Sequence, residues 1–196
     1  MFIAPPRLCI LHTSAKGSET ALQGNRKDHM RLLFIAEKPS VMKEVKETYD
    51  RNRSALTKKI GDIDFTALSG HVCCYYEPDQ YDAWKDRKWR EIDLPMIPER
   101  FKVGRIRDAR TSKIIEDIQA KMKSGRYDGI IVGTDSDTEG NGIYYLLCSY
   151  LHLEKFPTYR FFETSMTEKD ILRSLNGLTD FYRNPRETSY EKSSID

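Results

Sequence analysis

No two cysteines are spaced as a metal knuckle or as part of a regular disulfide framework. The four present, Cys9, Cys73, Cys74 and Cys148, show no C-x-x-C spacing, and neighbours such as Cys73 and Cys74 rarely bridge each other. The pattern implies a reduced, intracellular chain. The four histidines are scattered, which argues against zinc. No apolar run approaches the ~20 residues of a membrane helix, so no membrane partner is expected. An excess of either charge is also missing. The 32 basic and 30 acidic residues leave a net +2, so any nucleic-acid binding must come from local patches. Internal repeats and low-complexity tracts are absent. What remains, 196 residues with 39% hydrophobic and 32% charged side chains, suits one globular domain with a sizeable core.

Residues 1–29 break the pattern and precede a second methionine, Met30, where "MRLLFIAEKPS" reads as a natural protein start. They are expected to be a leader, vector-derived or an upstream extension; a signal peptide is a poor rival, because the apolar run "LCIL" is too short. Without this segment's four basic and two acidic residues, 28 of each sign remain. From Met30 the pattern alternates. "LLFIA" (32–36) reads as a strand and "PSVMKEVKETYD" (39–50) as a helix with Pro39 in its first turn. "FTALSG" (65–70) reads as a strand, and residues 71–101, rich in Tyr, Trp, Pro and charge, as a long excursion. Residues 109–125 form a helix with Ile114, Ile115, Ile118 and Met122 on one face and Gly125 as its stop. "GIIVGT" (129–134) is a buried strand, followed by a helix over 139–151, a strand over 158–164, and a helix over 167–177 capped by Thr167 and Gly177. This alternation predicts an α/β fold with a doubly wound, mainly parallel sheet flanked by helices. The domain is expected over 30–180, with residues 181–196 a flexible tail.

The stretch "GTDSDTEGNG" (133–142) places Asp135, Asp137 and Glu139 at alternate positions after a buried strand. Ligands of open parallel sheets bind beyond the carboxyl ends of the strands. Glu37, following "LLFIA", joins the same edge if the two strands are neighbours. Carboxylates so crowded need a cation, and hard oxygen donors with retained waters suit Mg²⁺. Helix capping by Asp137 or Thr138 accounts for one or two of the acids but not for Glu37 as well. A calcium EF-hand loop fails, because its twelfth position is Leu146 and the preceding segment is strand-like. A phosphoacceptor receiver domain wants an acidic pair after its first strand, where this chain has "AEKPS".

Five segments then carry a resemblance. "FIAEKPSVMKEV" (34–45) resembles the opening of type IA DNA topoisomerases, especially the topoisomerase III branch. "ALSGHV" (67–72), "KWREIDLPMIPERFKV" (88–103), "GTDSDTEGNGI" (133–143) and "YRFFETSMTEKDI" (159–171) are similar to later segments of the same domain, in the same order. The fold implied is Toprim, a Rossmann-like metal-binding catalytic domain. The resemblance implies ATP-independent, Mg²⁺-dependent, transient cleavage and rejoining of single-stranded DNA segments. Glu37 would be the acid/base carboxylate at the scissile phosphate and Lys38 its cationic partner. Asp135, Asp137 and Glu139, with Glu37, would hold the metal, and His71 and Arg160 would lie on the DNA side. The nucleophilic tyrosine would come from a later domain of a larger enzyme, so the remaining topoisomerase domains are expected partners. The expected location is cytoplasmic, nucleoid-associated if bacterial. The family's Arg after the second Asp is Thr138 here and its following Glu is Asn141, a loss of one cation and one carboxylate. A Toprim nuclease, a primase-like protein or a non-catalytic DNA-binding Toprim module are the alternatives. Separately, "KVGRIRDARTSK" (102–113) gathers Lys102, Arg105, Arg107, Arg110 and Lys113 against one acid, a candidate phosphate grip or a solvated helix face. Trp84 and Trp89 could stack on bases or pack under the excursion.

Overall fold

A computed structural model describes residues 30–88, 90, 94–162 and 165–183. The expectations placed on residues 1–29, on Trp89 and on 184–196 lie outside the described residues. Strand β1 (Arg31–Ala36) is the hub of a five-stranded sheet. It pairs in parallel with β2 (Asp62–Ala67) on one side and with β5 (Gly129–Gly133) on the other. Next to β5 come parallel β6 (Thr158–Arg160) and antiparallel β7 (Thr179–Asp180). A separate antiparallel ribbon joins β3 (Cys73–Tyr75) to β4 (Val103–Arg105).

β5 is buried along its whole length and β1 at every residue after Arg31, and successive side chains alternate between the two faces. Leu33 and Ile35 of β1, with Ile130 and Val132 of β5, point into one core. There they meet Ile115, Ile118 and Met122 of α3 (Ala109–Lys123) and Ile143, Tyr144 and Leu147 of α4 (Thr138–Leu151). Leu32, Phe34 and Ile131 point the other way. They meet Val45 and Tyr49 of α1 (Pro39–Arg51), Leu56 and Ile60 of α2 (Arg53–Ile60), and Ile171 and Leu175 of α5 (Glu168–Asn176). Two cores on two faces make the sheet doubly wound, and the fold class read from the sequence is the one observed.

Several boundaries differ. Helix α2 was not anticipated; the chain bends at Asn52, which ends α1 and precedes α2. Tyr49 then pins the connection to β2: its hydroxyl donates to Gly61 O at 3.1 Å and accepts from Ile63 N at 3.2 Å. As a result β2 starts and ends earlier than 65–70. The 71–101 excursion contains β3, and β4 returns beside it. Strand β6 stops at Arg160 rather than running to 164. Phe181, assigned above to the tail, is fully buried and packs edge-on against Tyr144 at 5.1 Å.

Candidate active site

The strand order β2-β1-β5 means that the chain leaves β1 to one side and later returns on the other. The carboxyl ends of β1 and β5 therefore flank the switch point, where open α/β sheets form their crevice. Glu37 is the first residue past β1, and Thr134 and Asp135 are the first past β5.

Glu37 is held by both neighbours. Its N–H donates to Gly133 O at 3.4 Å, and its carbonyl accepts from Ser69 N at 2.7 Å and Gly70 N at 3.1 Å. One carboxylate oxygen, Oε2, accepts from Asp135 N at 3.2 Å, and the residue is only 8% exposed. Lys38 occupies the N-cap position of α1 but a lysine has no oxygen with which to cap. Its side chain reaches across the switch point instead. Nζ donates to Asp135 Oδ2 at 2.8 Å and stands 3.4 Å from Glu37 Oε1. The hydrogen bond to Asp135, then the charge of Glu37, raise the Lys38 pKa above its ordinary value. An ammonium thus sits between the first two carboxylates.

The other two acids are engaged elsewhere. Asp137 is the N-cap of α4, with Oδ1 accepting from Gly140 N at 2.7 Å, so the capping alternative holds for this residue. Glu139 lies in the first turn of α4, exposed, with Oε1 4.0 Å from His71 Nδ1. Among the described residues, no three His, Cys, Asp or Glu side chains converge as a ready ligand set. Of the four acids expected to share a metal, Glu37 and Asp135 are the pair brought together. That pair fits Mg²⁺, which is commonly bound through one or two carboxylates and retained waters.

The turn is tightly folded. A Cβ on Gly140 would come 2.2 Å from Asp135 O, so the first turn of α4 lies directly on the acidic turn. Beneath it is Arg160, expected from the resemblance to face DNA. It is fully buried. Its guanidinium donates to Thr134 Oγ1 at 3.1 Å, Asp135 O at 2.8 Å and Ser136 Oγ at 3.1 Å, and lies near the rings of Phe162 and Phe181. Arg160 is therefore placed to shape the turn, not to meet a phosphate at the surface. Its partners Thr134 and Ser136 were missed as functional positions, since nothing in their spacing reports a contact with residue 160. Asn141, one turn past Asp137, is buried, and its Oδ1 has no hydrogen-bond partner among the described residues.

The basic residues spread outward from this edge. Arg110 Nη2 donates to Ser69 Oγ at 2.9 Å, which ties it to the loop that holds Glu37. Ser69 also has a left-handed backbone, φ 68°. Arg107 and Lys113 are exposed, and Arg105 stands 3.5 Å from Glu116. Trp84 packs edge-on against Tyr81 at 5.6 Å, as the packing alternative had it.

The Toprim domain family model matches residues 32–164. DNA topoisomerase 3 of Staphylococcus saprophyticus subsp. saprophyticus is 34% identical over 153 residues, which cover 77% of this chain and 21% of that protein. DNA topoisomerase 3 of Staphylococcus aureus strain USA300 is 30% identical over 156 residues, with the same shares covered. The matched region thus spans about a fifth of these relatives' length.

Proposed function

The chain belongs to the Toprim domain family, and we propose that it is the phosphate-handling part of a type IA topoisomerase that opens and reseals a single DNA strand. The observation that carries this reading is the Glu37–Lys38–Asp135 cluster at the switch point.

The chemistry needs a nucleophile, a proton carrier and positive charge at the phosphate. In cleavage, a tyrosine oxygen attacks phosphorus and the bond from phosphorus to a deoxyribose oxygen breaks. The departing oxygen takes a proton, and rejoining reverses both steps. One phosphoester replaces another, so no ATP is consumed. Glu37 carries the proton at the deoxyribose oxygen, since its backbone is fixed from two sides and its carboxylate reaches the crevice. Lys38 binds a non-bridging phosphate oxygen; its raised pKa keeps it charged at neutral pH. Asp135 orients that ammonium. A magnesium ion bound by Glu37 and Asp135 would add positive charge at the phosphate. Asp137 and Arg160 fix the shape of the turn. The nucleophilic tyrosine is assigned to a part of the enzyme outside residues 30–183. Tyr49 and Tyr144, for example, are buried and hydrogen-bonded within the fold.

The test uses this chain with supercoiled plasmid and with a labelled single strand. The expected result is no relaxation with or without Mg²⁺, but salt-sensitive single-strand binding that Lys38→Ala weakens. Metal-dependent cuts with free ends would replace the reading with a Toprim nuclease. Relaxation through a covalent adduct would put the nucleophile within this chain. No binding to DNA at all would sink the reading.

A further inference from the structure

We infer that the β3–β4 ribbon carries a second nucleic-acid site, a pocket that takes one nucleotide of a single DNA strand, its base on Tyr76 and its phosphate on Arg105 and Arg107. A cavity of 280 Å³ is lined there by Cys74, Tyr76, Gln80, Arg105, Arg107 and Tyr150. It lies away from the catalytic edge. Glu139 lies in the first turn of α4 at that edge, and Tyr150 sits eleven residues further along the same helix. At 1.5 Å per residue the two are about 16 Å apart.

Three features make this a nucleotide site and not a general anion patch. The first is a fixed aromatic surface. Tyr76 is partly exposed, yet its ring lies against Gly104, where a Cβ would come 2.7 Å from its Cε1. Its edge meets Tyr81 at 5.9 Å, and its N–H donates to Lys102 O at 2.9 Å. A ring so held is ordered before a base arrives, which suits it to stacking. The second is charge. Arg107 is exposed, its guanidinium open to a phosphate. Arg105 faces Glu116 at 3.5 Å with both side chains exposed, a pair weak enough for a phosphate to displace. The third is continuity. Arg105, Arg107 and Arg110 follow one another toward the loop at Ser69, whose N–H binds Glu37 O. A strand on this track would reach the catalytic edge at one end and the pocket at the other.

The inference rests on the DNA reading above for the identity of the strand, and the experiment separates the two. Anisotropy of a labelled oligothymidylate of about twelve nucleotides is followed against salt. Arg105→Gln with Arg107→Gln should weaken binding at low salt at least tenfold and lower the log–log salt slope by about 0.7, the share of one single-strand phosphate. Tyr76→Leu, which keeps an apolar group on Gly104, should weaken binding roughly tenfold without changing the slope. Circular dichroism checks that each variant is folded; if Tyr76→Leu is not, the exposed arginine pair decides. If wild-type binding is intact and falls with Lys38→Ala but not with the arginine pair, the pocket is wrong and the catalytic reading stands. If the wild type binds no strand, both fall. Thymidine monophosphate binding as tightly as the oligonucleotide would assign the pocket to a free nucleotide and overturn the strand assignment.

Discussion

Replacing Arg160 by methionine tests whether a buried cation shapes the acidic turn. The side chain is fully buried, and its hydrogen bonds include those to Thr134 Oγ1, Asp135 O and Ser136 Oγ. Methionine keeps most of the aliphatic volume beside Phe162 and Phe181 but donates nothing. The two hydroxyl oxygens can rotate toward other donors, so their loss is modest. The Asp135 carbonyl cannot move without moving the turn. A buried acceptor left without a donor costs about 1–3 kcal/mol, and hydrogen bonds from a charged donor sit at the upper end. Relief from burying the guanidinium offsets part of this. The net expectation is a loss of about 3 kcal/mol, with an unchanged urea m-value. Arg160→Lys should fall between, since a single ammonium nitrogen cannot occupy both positions from which the two guanidinium nitrogens reach these acceptors. Urea titration followed by far-UV circular dichroism measures both. A loss under about 1 kcal/mol for the methionine variant would show that the three contacts do not hold the turn.

Other consequences can be measured on the same protein. Gly140→Ala should destabilise it by about 1–3 kcal/mol, although alanine is the better helix former, because the new methyl would collide with Asp135 O; a gain in thermal midpoint would refute the close approach. Tyr49→Phe should cost about 2 kcal/mol in a denaturant titration, since Gly61 O and Ile63 N both lose the hydroxyl that joins them. Burial pushes the Cys73 thiol up to about 12 and the Cys148 thiol up to about 11, while Cys74 is exposed. Iodoacetamide at pH 8 with peptide mapping should therefore alkylate Cys74 well before either of the other two. Equal rates would mean that the β3–β4 ribbon opens readily.

How much of this was legible depended on the range of the interaction. "LLFIA" and "GIIVG" read as strands because central parallel strands are buried on both faces and leave unbroken apolar runs. Helix α3 announced itself through the apolar face of Ile114, Ile115, Ile118 and Met122, and α5 through its cap, the Thr167 oxygen accepting an N–H within its own first turn; the matching Asp108 cap of α3 was not read. Helix α2 did not, since only Leu56 and Ile60 of its eight residues are buried. Strands β3 and β4 are three residues each and exist through pairing across some thirty intervening residues, which no local pattern encodes. The site divides the same way. Glu37 and Asp135 could be placed at one edge from the strands they follow. That Lys38 lies between them, 97 residues from Asp135 in sequence, could not. Nor could the inward turn of Arg160, because arginine in a polar segment reads equally as a surface cation.

The two departures from the topoisomerase resemblance fall at different depths, and that difference decides which matters. Thr138 is exposed in the first turn of α4, so a cation missing there is one that solvent would have screened. Asn141 is 3% exposed, and its Oδ1 is without a partner among the described residues. A carboxylate at that depth would need a cation, whereas a neutral amide does not. With Glu37, Asp135 and Lys38 together the edge carries one net negative charge; a carboxylate at 141 would make it two and draw a divalent ion more strongly. Asn141→Asp should accordingly lower the thermal midpoint in EDTA by several degrees, an uncompensated buried charge costing roughly 2–4 kcal/mol. Millimolar Mg²⁺ should recover most of that loss in the variant and shift the wild type far less. A loss of the same size with and without Mg²⁺ would show that position 141 does not face the proposed cation edge, and that the amide there has no bearing on Mg²⁺ binding.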